Sequence, residues 1–202
     1  MSDSPVTLPV PPEFFRDFDC GYGGSTIGCY ALLAYIASVA PRRHRRILEV
    51  GTHNGVGTAA LALGTPGCIV ETVDCRDESR GARRRHWDRC GVAGRIVQHV
   101  GDSREILPLI EGDFDLALID ANHDWAIKTC DWLAIKDRVA VIVLDDFVID
   151  WPFWQQATVD PAWRIVPTTA PYLDNDAGIL DWRGCRDAAR ACFPGGVSQS
   201  WQ

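Results

Sequence analysis

The strongest constraint on this chain is an alternation of short apolar, β-branched runs with stretches long enough for a helix. The runs are Ile47–Val50, Ile69–Val73, Arg95–Val100, Phe114–Ile119, Val139–Leu144, Trp163–Val166 and Gly178–Trp182. Helices are expected at about 27–39, 56–63, 78–89, 103–110, 124–134 and 152–158. The first starts after Ser25 or Thr26, either of which suits a cap, and Pro41 ends it. Near-continuous apolar strands separated by helices are what a parallel sheet covered on both faces requires. The expected class is α/β, doubly wound, with a mainly parallel seven-stranded sheet. The last two runs are too close together for a helical crossover, so they are expected to form an antiparallel C-terminal pair. No repeat or linker interrupts the pattern. With 202 residues, 47% of them hydrophobic, a single domain over 1–202 is the economical expectation. It comprises an N-terminal arm and helix (1–46), a core (47–182) and a C-terminal tail (183–202).

Charge and cysteine usage exclude several roles. Lys and Arg number 20 against 27 Asp and Glu, a net charge of −7, which disfavours a phosphate-backbone partner. The clusters Arg42, Arg43, His44, Arg45, Arg46 and Arg80, Arg83, Arg84, Arg85 lack interleaved aromatics and are read as solvated helix ends. No apolar run approaches the ~20 residues of a membrane span, and the first residues do not resemble a signal peptide. A soluble, cytoplasmic protein without membrane or nucleic-acid partners is expected. The eight cysteines form no CxxC pair and are read as free thiols.

The first strand runs into a glycine turn, ILEVGTHNGVGTAALAL. Glycine there lets backbone approach a ligand closely. The spacing Gly51, Gly55, Gly57 departs from the dinucleotide G-x-G-x-x-G, which counts against NAD. Glu49, an acid just before the turn, suits a cationic or amino-bearing ligand.

The pattern Glu49, Val50, Gly51, Thr52, Gly55, Thr58 resembles the first motif of the class I S-adenosylmethionine-dependent methyltransferases, in the variant of small-molecule O-methyltransferases. Asp74, closing VETVD, matches that family's ribose-binding acid, and a carboxylate is a sound acceptor for two hydroxyl protons. Gly101, Asp102 and Ser103 match the turn beside the adenine in catechol and caffeoyl-coenzyme A O-methyltransferases. The resemblance thus implies a cofactor set of Glu49, Gly51, Thr52, Gly55, Asp74, Asp102, Ser103 and Asp120.

Asp120 in LALIDANHDW and Asp145 and Asp146 in VIVLDDFVIDW lie just past strand ends, the edge where open α/β sheets bind ligands. Three converging carboxylates repel one another unless a cation lies between them, and hard oxygen donors suit Mg²⁺, Ca²⁺ or Mn²⁺. The resemblance to metal-dependent O-methyltransferases implies the same set, Asp120, Asp145 and Asp146, with Mg²⁺ the natural choice. His123 falls three residues after Asp120, matching an Asp-x-x-His branch. It is read either as the base that works with Asp120 or as a solvated loop histidine. Helix capping is the rival role for Asp145 and Asp146. Asn122 and Trp125 depart from the residues usual nearby, which leaves the acceptor open.

Trp151, Pro152, Phe153 and Trp154 either wall an acceptor pocket or pack as core, and Tyr22 with its glycine loop either covers the cofactor or leads into the first helix. Asp174 and Asp176 suit a turn. The resemblance implies a metal-dependent O-methyltransferase for a small-molecule hydroxyl, phenolic, catechol-like or part of a sugar-containing natural product. The alternative is an S-adenosylmethionine-binding regulatory or partner protein without turnover. Acceptor choice would rest on the N-terminal arm, the aromatic loop, or a second subunit in a homodimer.

Overall fold

The computed structural model describes residues 8–18, 27–77, 80–122, 124–144, 163–167 and 190–194. Strand β1 (Arg46–Val50) pairs in parallel with β2 (Ile69–Asp74) on one side and β4 (Leu116–Ile119) on the other. Beyond β2 lies β3 (Ile96–Val100), and beyond β4 lies β5 (Ile142–Leu144), so five parallel strands follow the order β3-β2-β1-β4-β5. The direction of winding reverses between β1 and β4. In such sheets that reversal opens a crevice at the carboxyl ends of the two strands.

Successive strand residues point to opposite faces, and here both faces are covered. Ile47, Val70, Leu116, Leu118 and Val143 pack under α1 (Ile27–Val39) and α2 (Val56–Gly64). Leu48, Val50, Val73, Ala117, Ile119 and Ile142 pack on the other face with Leu107, Phe114 and the Trp132 and Ile135 side chains of α5 (Trp125–Ile135). This is why β4 is buried at all four positions. Helix α3 (Arg80–Arg89) joins β2 to β3 and contributes one large apolar side chain, Trp87, to the first core. The α1 helix also carries the N-terminal 3-10 turn Pro12–Phe15, whose Phe15 is fully buried with its ring centroid 5.7 Å from that of Tyr30.

Several boundaries differ from the sequence reading. The expected helix over 103–110 is α4 (Ser103–Ile106) followed by a 3-10 turn, Leu107–Leu109. Pro108 has no N–H to continue an α-helical ladder. Phe114 and Val139 pair only as an isolated bridge, so the fourth and fifth strands start later than their apolar runs. The expected capping residues, the helix at 152–158 and the run Gly178–Trp182 lie outside the described residues. So do Tyr22, the Trp151–Trp154 segment, Asp174 and Asp176. Two further strands are described, β6 (Trp163–Pro167) and β7 (Arg190–Pro194), with β7 antiparallel to both β5 and β6. Residues 190–194 were assigned to the tail, because a run of three apolar residues between Arg190 and Pro194 is too short to stand out.

The basic segment between α1 and β1 is exposed through Arg45, but its backbone is anchored. The fully buried Asp115 carboxylate accepts hydrogen bonds from the N–H groups of Arg43 at 2.8 Å, His44 at 3.0 Å and Arg45 at 2.7 Å. Arg46 turns inward and pairs with Glu71, which also meets His99 at 3.1 Å. We expect Asp115→Ala to destabilise the chain by about 1–3 kcal/mol, since three backbone donors lose their charged acceptor at once. An unchanged urea midpoint would mean that water replaces the carboxylate without cost. Among the described residues Cys29, Cys68, Cys75, Cys90 and Cys130 form no disulfide. No described helix is long and apolar enough to cross a membrane.

Candidate active site

At the winding reversal, β1 and β4 end side by side, with Val50 opposite Ile119. The next residues, Gly51 and Asp120, are locked to the sheet. Gly51 N–H donates to the Val73 carbonyl at 2.8 Å, and Asp120 N–H to the Val50 carbonyl at 2.7 Å. Gly51 has φ +107°, and a Cβ there would lie 2.2 Å from the Asp120 carbonyl oxygen. The glycine turn and the Asp120 loop therefore meet backbone to backbone.

Beneath the turn runs a chain of hydroxyls ending on Glu49. Its Oε2 accepts from Thr58 and Thr72, each at 2.5 Å. The Thr72 proton is committed to Glu49, so the Thr52 hydroxyl, 2.6 Å away, donates to Thr72. Glu49 is 1% exposed and Thr52 2%. Both were expected as cofactor contacts, and the structure places their side chains under the turn rather than on its surface. Burial pushes the Glu49 carboxyl up to about 7, aided by Asp74 and opposed by the Thr58 and Thr72 hydrogen bonds and by Arg83.

Asp74 closes β2 beside the turn. Its Oδ1 accepts from the Arg76 N–H at 2.9 Å, and its Oδ2 from the His53 N–H at 2.7 Å and from Arg83 Nη2 at 2.8 Å. Arg83 corrects the reading of the second arginine cluster. Arg80, Arg84 and Arg85 are exposed, but Arg83 is 1% exposed. One available signal pointed to it: Trp87 is the large apolar residue of α3, and Arg83 lies four positions before it on the same helical face.

Asp102 and Ser103 lie at the end of β3. Asp102 caps α4 by accepting from the Arg104 N–H at 2.9 Å and also pairs with the Arg104 guanidinium, which holds its carboxyl down at about 2. Below them on α5 is Asp131, fully buried and another residue the sequence reading missed. Burial raises its pKa and Asp102 adds to the rise, while Ser103, Arg104 and Lys128 oppose it.

Asp120 is half-buried at the end of β4. The loop after it is shaped by Asn122, whose side chain accepts from the Asp124 N–H at 2.8 Å, and by Asp124, which caps α5 through the Ala126 N–H at 2.7 Å. The neighbouring strand β5 ends with Leu144 opposite Ile119, and Asp145 follows it in the chain. Asp145, Asp146 and His123 themselves lie outside the described residues, so the structure brings together Gly51, Asp74 and Asp120 but does not report on the remainder of the acidic set. Among the described residues no group of three or more His, Cys, Asp or Glu side chains is placed to hold a metal ion.

Comparison with known proteins agrees with this geometry. Residues 48–147 match the family described as a methyltransferase domain. The chain is 36% identical over 107 residues to a catechol O-methyltransferase of Mycobacterium tuberculosis, covering 52% of this chain and 49% of that protein. It is 35% identical over 134 residues to the O-methyltransferase hkm8 of Aspergillus hancockii, covering 63% of this chain and 53% of that protein. The chain thus spans about half the length of these curated relatives. The solved structure of the O-methyltransferase TomG from Streptomyces achromogenes, in complex with S-adenosylmethionine, superposes with a TM-score of 0.67 at 21% identity, covering 84% of this chain and 81% of that one. With the glycine turn, Asp74 and Asp120 at one edge of a Rossmann-like sheet, and sequence matches over the same segment, residues 48–147 form a methyltransferase domain of the class I S-adenosylmethionine-dependent type, similar to that of catechol-type O-methyltransferases.

Proposed function

We propose that this chain transfers a methyl group from S-adenosylmethionine to a hydroxyl of a small molecule, with a divalent metal at the acceptor site. The observation that carries the reading is the backbone contact between Gly51 and Asp120 at the winding reversal, with Asp74 on the adjoining strand. It supports reading the Gly51 turn as the cofactor turn, Asp74 as the ribose acid and Asp120 as a metal ligand, all along one edge.

In this reading the backbone at Gly51, Thr52 and Gly55 cradles the amino-acid half of the cofactor. Glu49 supplies buried negative charge close to a cationic ligand. Asp74 binds the ribose hydroxyls: its Oδ1 accepts one described hydrogen bond and has a lone pair to spare. Asp102 and Ser103 flank the adenine. S-adenosylmethionine, when bound, supplies a methyl group already activated on a sulfonium. The protein's task is then to align a deprotonated oxygen with it.

The donor chemistry fits a hard divalent cation. Asp120 ends one strand, and Asp145 and Asp146 follow the last residue of its parallel neighbour. Asp120, Asp145 and Asp146 would hold Mg²⁺, and the chemistry it would supply there is a lowered pKa for the acceptor hydroxyl. His123 would take the hydroxyl proton as general base. The acceptor is read as phenolic, catechol-like or sugar-containing. We read the chain as one cytoplasmic domain, with β6 and β7 completing a seven-stranded sheet and a homodimer partner available to shape the acceptor site.

The first test is calorimetric titration of the chain with S-adenosylhomocysteine, where absence of binding ends this reading. The second is turnover on a panel of phenols and catechols with Mg²⁺ or with a chelator. We expect product only with metal, and full activity after complete chelation would remove the metal from the reading. His123→Ala should lower turnover by roughly 10²–10⁴-fold with little change in S-adenosylhomocysteine affinity. An unchanged rate would return His123 to the loop.

A further inference from the structure

Three side chains on one face of α3 meet three consecutive carbonyls of the glycine turn. Arg83 Nε donates to the carbonyl of His53, Trp87 Nε1 to that of Gly55 at 2.9 Å, and His86 Nδ1 lies 3.0 Å from that of Asn54. A carbonyl can only accept, so Nδ1 of His86 carries the proton. The turn is thus held along its outer edge by a helix rather than by its own glycines alone.

Within this row His53 is the unusual residue. It is not glycine, yet its φ is +46°, in the left-handed region that costs a side-chain-bearing residue energy. Such conformations persist where the surroundings over-determine them. Here the His53 N–H donates to Asp74 Oδ2, the His53 carbonyl accepts from Arg83 Nε, and Arg83 Nη2 closes the ring on the same Asp74 oxygen. The remaining arm of the guanidinium, Nη1, donates to the Arg76 carbonyl at 3.0 Å. All three nitrogens of this buried, planar group are therefore used, each on a different acceptor, which an ammonium on a flexible stem does not reproduce.

We propose that Arg83 is a positioning residue for the cofactor site: through the ring His53–Asp74–Arg83 it holds His53 in its left-handed conformation and so fixes the shape of the turn and the direction of the Asp74 carboxylate. The proposal rests on the reading of this edge as an S-adenosylmethionine site, but half of its test needs no ligand. Arg83 does not touch the reacting atoms. Its effect is on the affinity for the nucleoside ligand rather than on methyl transfer.

The experiment compares Arg83→Met, Arg83→Lys, His53→Gly and the double variants in the full chain, by amide hydrogen exchange without ligand and by S-adenosylhomocysteine calorimetry. Arg83→Met should speed exchange of the His53 and Arg76 amides, leave the Thr58–Leu61 amides of α2 unchanged, and weaken S-adenosylhomocysteine by roughly tenfold or more. Arg83→Lys should recover little of this. His53→Gly alone should bind about as well as the parent. Placed on Arg83→Met it should restore most of the affinity, because glycine adopts the left-handed conformation without a clamp. Should Arg83→Met fail to fold, the same comparison is made on Arg83→Lys. Unchanged exchange at His53, or no recovery of affinity when His53→Gly is added, overturns the proposal. If the parent shows no affinity for S-adenosylhomocysteine while the exchange result holds, the cofactor reading of the site fails and the clamp on the turn stands.

Discussion

Gly51→Ala is expected to abolish S-adenosylhomocysteine binding and to cost about 3 kcal/mol or more of stability. Two penalties combine. The φ of +107° lies where an L-residue is strained, and the added Cβ would sit 2.2 Å from the Asp120 oxygen, 2.5 Å from its carbonyl carbon and 2.7 Å from the Ala121 nitrogen. None of those atoms is the end of a flexible side chain, so relief requires moving the β4–α5 loop away from β1. That movement breaks the Asp120 N–H bond to Val50 or the Gly51 N–H bond to Val73. It also carries Asp120 away from the turn, which disturbs both halves of the proposed site. Gly67→Ala isolates the first penalty. Its φ is +82° and nothing lies within 4 Å of the added Cβ, so it should cost only about 1 kcal/mol and leave ligand affinity unchanged. Thermal unfolding with calorimetry separates the two. Retained affinity in Gly51→Ala would show that the Gly51–Asp120 contact is not needed for the site.

The parallel core was legible because burial on both faces writes a dense, local signal. The stretches RILEV, IVETVD and LALI stand out from their neighbours without reference to anything distant in the chain. The placement of Gly51, Asp74 and Asp120 followed, since each is the residue that ends or leaves a strand. What stayed hidden was polar and long-range. Arg83 reaches Asp74 and the carbonyl of His53, Asp115 gathers amides some seventy positions away, and Arg95 is spent on the carbonyls of Ala62, Thr65 and Cys68. Apolar periodicity records which face of a helix turns inward, but not which charged residue on that face will find a partner. Composition misleads there: a helix reading RGARRRHWDR has the charge of a solvated element, and only Trp87 shows that Arg83 shares its inward face.

Glu49→Gln should raise stability at pH 8 by about 3 kcal/mol while leaving it nearly unchanged at pH 4. The carboxyl titrates at about 7 when buried in the folded chain and near its ordinary 4.5 when unfolded. The folded state therefore holds the proton more tightly. Stability from this group is fully present below about pH 4.5, declines as pH rises, and is lost above about 7; the difference of roughly 2.5 pH units corresponds to about 3 kcal/mol. Glutamine removes the titration but keeps a carbonyl oxygen able to accept from both Thr58 and Thr72. Urea unfolding of the two proteins from pH 4 to 8 should show curves that coincide at the acid end and separate above it. A parallel course across the range would mean that Glu49 is not the source of the decline. A buried carboxylate that weakens the fold at neutral pH needs a compensating use, and the proposed cofactor supplies one, since a sulfonium near the turn favours the charged form. S-adenosylmethionine should then bind the parent more tightly as pH rises through about 7, with proton release that calorimetry detects in buffers of different ionisation enthalpy. In Glu49→Gln that release should vanish and the pH dependence flatten; equal proton release in both proteins would assign the linkage to another group.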